Sequence, residues 1–135
     1  MSLKKIVLDS YAVIAYLEQE KGSHEVVRYL EQAKKKGCEL LLNLVNWGEI
    51  YYSVFRSKGE VSAQECLLLI DQLPIQLIDV DRDLIHSAAK LKARYPLTYA
   101  DCFAAALAKK EKCPVLTGDK EFSKLEGEVN ISWLT

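Results

Sequence analysis

The hydrophobic positions change their period along the chain, and the changes alternate. Lys5–Leu8 ends in three consecutive apolar residues, Ile6, Val7 and Leu8, the pattern of a short buried strand, and Asp9 stops it. Tyr11–Gln19 then reads as helix, with Val13, Ile14 and Leu17 on one face. Gly22-Ser23 interrupts it, and Ser23 is placed to cap a second helix running to about Lys36, striped by Val26, Val27, Leu30 and Ala33. Lys34-Lys35-Lys36 suits the C-terminal end of that helix, and Gly37 its stop. Glu39–Asn43 predicts a second strand. Leu44–Ser57 predicts a helix with Trp47, Ile50, Tyr51, Val54 and Phe55 at core spacing. A helix over Ser62–Leu73 ends at Pro74, a third strand spans Ile75–Val80, and an amphipathic helix over Asp81–Tyr95 stops at Pro96. The Ala-rich run around Asp101 predicts a helix, Val115–Thr117 a strand, Lys120–Leu125 a short helix and Val129–Trp133 a last strand.

Strands that alternate with one or two helices imply an α/β fold: a parallel sheet with helices on both faces and its strand C-termini on one edge. The 135 residues fit a single domain over residues 1–135, with no linker, repeat or low-complexity stretch. Half of the residues are hydrophobic and 27% charged, which excludes a wholly disordered chain. No apolar run reaches membrane-spanning length and the N-terminal one is too short for a signal peptide, so the sequence predicts a cytoplasmic protein. A net charge of −1 excludes the global basic footprint of a dedicated nucleic-acid binder. Binding to nucleic acid would need local basic residues or a metal. The four cysteines form no C-x-x-C pair, which argues against zinc and redox motifs. Cys66 and Cys102 are expected as small buried thiols, and His24 and His86, on amphipathic helices, as non-ligands.

Four acids carry the candidate chemistry. Asp9 and Asp119 each follow an apolar strand, so a parallel sheet places both on its C-terminal edge, where open α/β folds collect ligands. Asp101 opens the Ala-rich helix that feeds the Val115 strand. Glu49 lies beside the apolar stripe of its helix, one turn after Val45. Each acid alone has an ordinary explanation. Asp9 or Ser10 is a helix N-cap, Glu49 a surface residue near Ser53 or Arg56, Asp101 the second half of a Thr98 capping box, and Asp119 a turn or cap residue. As a cluster they are expensive, because two like charges about 4 Å apart repel by roughly 4 kcal/mol at an effective dielectric near 20. Such a cluster persists only when protonated or neutralised by a cation. Hard oxygen ligands without thiolate or imidazole suit Mg²⁺ or Mn²⁺, which can bind a phosphodiester oxygen and activate water for in-line attack.

Ile6-Val7-Leu8-Asp9-Ser10, Asn46-Trp47-Gly48-Glu49-Ile50, Tyr99-Ala100-Asp101-Cys102-Phe103-Ala104-Ala105-Ala106-Leu107-Ala108 and Leu116-Thr117-Gly118-Asp119-Lys120-Glu121-Phe122 resemble the four motifs of the PIN-domain ribonucleases. More closely, the chain is similar to the VapC-like toxins of prokaryotic toxin–antitoxin pairs, over nearly its whole length and in the family's order. The resemblance implies a three-layer PIN-like fold with a central, mostly parallel sheet flanked by helices. It implies a Mg²⁺- or Mn²⁺-dependent endoribonuclease in which Asp9, Glu49, Asp101 and Asp119 are catalytic and hold the metal, while Thr117 fixes a carboxylate. It also implies a homodimer, and a small antitoxin that covers the pocket, often by inserting a basic side chain.

Other readings compete. A haloacid-dehalogenase-like phosphotransferase would want a second Asp where Tyr11 stands, and a receiver domain would want an acidic pair after the first strand, although Asp79 or Asp81 could serve as its phosphoacceptor. A non-catalytic PIN-like or receiver-like module binding protein or RNA would use Trp47, Tyr51, Tyr52 and Phe55 as its contact surface. Core packing accounts for Trp47, Tyr51 and Phe55 more simply, with Tyr52 off the stripe. The Leu44–Ser57 and Ser62–Leu73 helices carry more apolar residues than one core face needs. Within Cys66-Leu67-Leu68-Leu69-Ile70 some must face away from a one-sided core, towards a dimer mate or another partner.

Overall fold

In the computed structural model, which describes residues 4–135, the apolar runs become five strands. They are β1 (Lys4–Leu8), β2 (Cys38–Asn43), β3 (Ile75–Ile78), β4 (Val115–Thr117) and β5 (Ile131–Trp133). The sheet order is β3-β2-β1-β4-β5, and every neighbouring pair is parallel. Met1, Ser2 and Leu3, which open the segment weighed as a leader, lie outside the described residues. Among the described residues no helix is long and apolar enough to cross a membrane.

The buried inner stretches of the central strands, Ile6, Val7 and Leu8 of β1, Leu40, Leu41 and Leu42 of β2, and Val115 and Leu116 of β4, are apolar on both sides because both faces are covered. Along β1, Ile6 and Leu8 point into one core and Val7 into the other, as the two-residue period requires. Helices α1 (Ser10–Leu17), α2 (Ser23–Lys34), α3 (Leu44–Lys58) and α4 (Glu60–Gln72) close the first core through Val13, Val26, Leu30, Ile50, Val54 and Ile70. Helices α5 (Arg82–Arg94) and α6 (Tyr99–Glu111) close the second through Leu84, Leu91, Phe103 and Leu107, with Phe122 from the 3-10 turn Lys120–Leu125. The result is three layers. In α6 every residue from Asp101 to Ala108 is buried, and its small alanines let sheet and α5 approach from opposite sides.

Several expected boundaries move, for local reasons. Ser23 does not cap α2; Gly22 holds the N-cap position at φ 93° and no side chain caps the helix. The helix ends on Lys36 rather than Gly37 as its left-handed residue, at φ 62°. The Gly37 N–H donates to the Gln32 carbonyl at 2.7 Å and that of Lys36 to Ala33 at 3.0 Å, the two bonds of a Schellman ending. Strand β3 stops at Ile78 because its partner β2 turns into α3 after Asn43, with which Ile78 is paired. Strand β5 starts at Ile131 because its partner is Val115, the first residue of β4, which follows Pro114. Two burial expectations fail. Phe55 is 42% exposed, and Cys66 is half-buried, whereas Cys102 is fully buried. His24 and His86 are exposed, and so are Val61, Leu68 and Leu69 of α4 and Tyr52 of α3.

Candidate active site

The register of β1 against β4 pairs Leu8 with Leu116, which brings Asp9, just past β1, level with Thr117. The Thr117 hydroxyl donates to Asp9 Oδ2 at 2.5 Å and accepts from the Asp119 N–H at 3.0 Å. The other carboxylate oxygen, Oδ1, accepts from the Ala12 N–H at 2.9 Å, so Asp9 is also the N-cap of α1. Ser10 is therefore free of the capping role and donates its hydroxyl to Glu49 Oε1 at 2.5 Å. Asp9 is only 2% exposed. Burial pushes its carboxyl up to about 7; the bonds from Thr117 and Ala12 oppose the shift, and the charges of Asp101 and Asp119 add to it.

Glu49 reaches this edge from α3. Asn43 caps that helix, its Oδ1 accepting from the Asn46 N–H at 3.0 Å and its Nδ2 donating to Asn46 Oδ1 at 2.7 Å. The Asn46 Nδ2 in turn donates to the Ala100 carbonyl at 3.2 Å and, at 3.4 Å, to Glu49 Oε1. Both asparagines are fully buried, so this chain of amides ties α3 to the start of α6 one residue before Asp101. Glu49 is half-buried and does not pair with Arg56, whose guanidinium lies 5.0 Å from the centre of the Tyr52 ring.

Thr98 caps α6, its Oγ1 accepting from the Asp101 N–H at 3.2 Å. One half of the expected capping box, the bond from the Asp101 N–H to the Thr98 hydroxyl, is thus present. Burial pushes the Asp101 carboxyl up to about 6; the hydrogen bond with Thr98 opposes this, and the charges of Asp119, Glu49 and Glu121 reinforce it. Asp119, half-buried, caps the 3-10 turn by accepting from the Glu121 N–H at 3.0 Å.

All four predicted acids and Thr117 therefore come to one edge of the sheet. Sequence reading missed Ser10, Asn43, Asn46 and Glu121. Of these only Asn43 carried a usable signal, an N-cap residue directly after an apolar strand. Helices α1, α3 and α6 all begin at this edge, so their positive dipole ends partly offset the carboxylates. Among the described residues no lysine, arginine or histidine forms an ion pair with any of the four acids. No group of three or more His, Cys, Asp or Glu side chains there is already arranged as it would be around a metal ion. The donor set is nevertheless one of oxygens alone, partly desolvated and without a protein counter-ion, and it fits a hard divalent cation.

Comparison with curated proteins gave no match. Among solved structures, a chain of VapBC2 from Rickettsia felis, bound to a DNA fragment from the promoter, is similar at a TM-score of 0.78 and 15% identity, covering 97% of this chain and 99% of that one. A chain of DNA-bound VapBC from Salmonella typhimurium gives 0.76 and 16%, covering 97% and 98%. VapC20 of Mycobacterium tuberculosis, described as a sarcin-ricin-loop-cleaving toxin, gives 0.72 and 18%, covering 92% and 96%. At these identities the likeness is one of fold. A family model described as the PIN domain matches residues 6–128, a span that holds the whole sheet edge from Asp9 to Asp119, and the chain belongs to the PIN-domain family.

Proposed function

We propose that the chain is a Mg²⁺- or Mn²⁺-dependent endoribonuclease, the toxin of a toxin–antitoxin pair. The observation that carries this reading is the gathering of Asp9, Glu49, Asp101 and Asp119 without a protein cation, two of them with carboxyls raised by burial. Asp9 and Asp101 would be the first metal ligands, directly or through water, and Asp119 and Glu49 would complete the pocket. A bound divalent ion would polarise the phosphodiester and make a water nucleophilic at neutral pH. The protein residues fix the geometry. Thr117 holds the Asp9 carboxylate in one rotamer, and Ser10 and Asn46 both donate to Oε1 of Glu49, leaving Oε2 to hold a metal or orient the attacking water.

The fold likeness to VapBC chains supports, by analogy, an antitoxin partner, and the likeness to VapC20, a sarcin-ricin-loop-cleaving toxin, supports RNA as substrate. An arginine from the antitoxin could occupy the pocket, because its planar fork pairs with two carboxylate oxygens; metal and inhibitor would then compete. The exposed apolar residues Tyr52, Phe55, Val61, Leu68 and Leu69 of α3 and α4 suit that partner or a second copy in a homodimer. A cytoplasmic location belongs to the same reading. The test is cleavage of RNA by the purified chain with Mg²⁺ or Mn²⁺ and with chelator. Cleavage that needs the metal and is lost in Asp101→Asn supports the proposal. A chain that binds RNA but cuts none with either ion would be a binding module instead.

A further inference from the structure

Tyr11 is the second residue of α1, two positions after Asp9, and belongs to neither core; 41% of it is exposed. Its place is set by Gly118. A Cβ built on that glycine would fall 2.4 Å from Tyr11 Cε1, 2.8 Å from Cζ and 3.0 Å from the hydroxyl oxygen. The ring therefore lies against the Gly118 backbone, and any side chain at 118 would displace it. Gly118 has no positive φ to explain it, unlike Gly22 and Gly59, so the need for glycine here is room for the ring. Gly118 joins Thr117, bonded to Asp9, to Asp119. An aromatic ring is thus seated beside the carboxylates with much of its surface open to water.

We propose, resting on the nuclease reading, that Tyr11 is a base-stacking platform that binds an unpaired base of single-stranded RNA next to the phosphate held at the acids. Aromatic side chains bind unpaired bases through their π-faces with little regard to sequence, and a duplex keeps its bases out of reach. A ring already seated on a backbone loses little freedom on binding. The substrate would accordingly be a loop or single strand, not a paired helix.

The experiment compares binding of short oligo(A) RNA with that of an abasic oligomer of the same length and backbone, with Mg²⁺ present, on the Asp101→Asn protein. The parent should prefer oligo(A). Adding Tyr11→Leu should weaken oligo(A) binding about tenfold, within the range reported for base–aromatic stacking, and leave the abasic oligomer unchanged. Tyr11→Phe should keep the preference. Gly118→Ala, which retains Tyr11 but displaces its ring, should lose it. If Tyr11→Leu fails to fold, the comparison of Tyr11→Phe with Gly118→Ala decides alone. No preference in the parent, or an equal loss for both oligomers, would overturn the proposal. A preference for oligo(A) through Tyr11, found while the chain with Asp101 intact cuts no RNA with Mg²⁺ or Mn²⁺, would support the platform and overturn the nuclease reading.

Discussion

Raising the pH of a metal-free solution should destabilise this fold, in a window where a typical carboxylate is silent. Asp9 ionises near pH 7 in the folded chain but near 3.8 in its ordinary state. Between those values the folded chain holds a proton that the unfolded chain has released, so stability is full below about pH 4 and falls as pH rises. The slope is about 1.4 kcal/mol per pH unit, and over roughly three units the loss from Asp9 is about 4 kcal/mol, complete above about pH 7. For a chain of this size that is roughly 15 °C in Tm. Asp101, raised to about 6, acts in the same direction over the lower part of the window. Glu25, held below the usual range chiefly by its hydrogen bonds from Thr135, and Glu128, held down by Lys109 and then Tyr95, act oppositely but only below their ordinary value of 4.5. The assay is urea unfolding in chelator across about pH 5 to 8, repeated with Mg²⁺ and with Asp9→Asn. The amide keeps the bond from Ala12 and can donate to Thr117, whose own proton then loses its acceptor, at about 1 kcal/mol. Asp9→Asn should therefore flatten the profile and exceed the wild type by about 3 kcal/mol at the alkaline end. Mg²⁺ should flatten the wild type but not the variant. A wild-type stability that is level or rising between about pH 5 and 7 in chelator would refute the reasoning.

Asp101→Asn should abolish RNA cleavage while leaving metal-free stability level or higher, because Thr98 caps α6 through the backbone N–H of residue 101; a large stability loss in urea would return the carboxylate to a capping role. Asn46→Ala removes the amide that serves Asn43, Glu49 and the Ala100 carbonyl, and should lower stability by about 2–3 kcal/mol and slow cleavage. Wild-type urea midpoints and rates in that variant would show the amide chain to be dispensable. Leu68→Glu with Leu69→Glu should change stability by less than about 0.5 kcal/mol yet disrupt self-association or antitoxin capture, read by light scattering and co-purification with the product of the adjacent open reading frame. Unaltered assembly would clear that face of a partner.

The sheet and its acidic edge were legible in the chain because they rest on local signals. Unbroken apolar runs such as Ile6-Val7-Leu8 read as strands, and an acid directly after such a run lands on the C-terminal edge of any parallel sheet. What stayed hidden depends on residues distant in sequence. Asn46 meets the Ala100 carbonyl 54 positions away, and Ser10 meets Glu49 39 positions away; neither spacing has a period to betray it. The Tyr11–Gly118 seat is likewise a meeting of two chain segments. Phe55 was misread because helical periodicity says which side of a helix is apolar but not where the core ends. Residues 55–60 are all exposed, so the last turn of α3 runs beyond the layer it packs on.

The hydrogen bond from Thr117 to Asp9 spans 108 positions, nearly the whole chain. During synthesis β1 is made first, yet it occupies the middle of the sheet and waits for β4 to flank it. Until Val115–Thr117 emerges, one edge of β1 has unpaired backbone groups, Asp9 lacks the hydroxyl that orients it, and Asp101 and Asp119 have not been brought beside it. A nascent or truncated chain lacking β4 therefore carries no assembled site, whatever secondary structure its earlier segments have gained. Translation itself acts as the delay: the carboxylates of this edge are gathered only after Thr117 and Asp119 have been made.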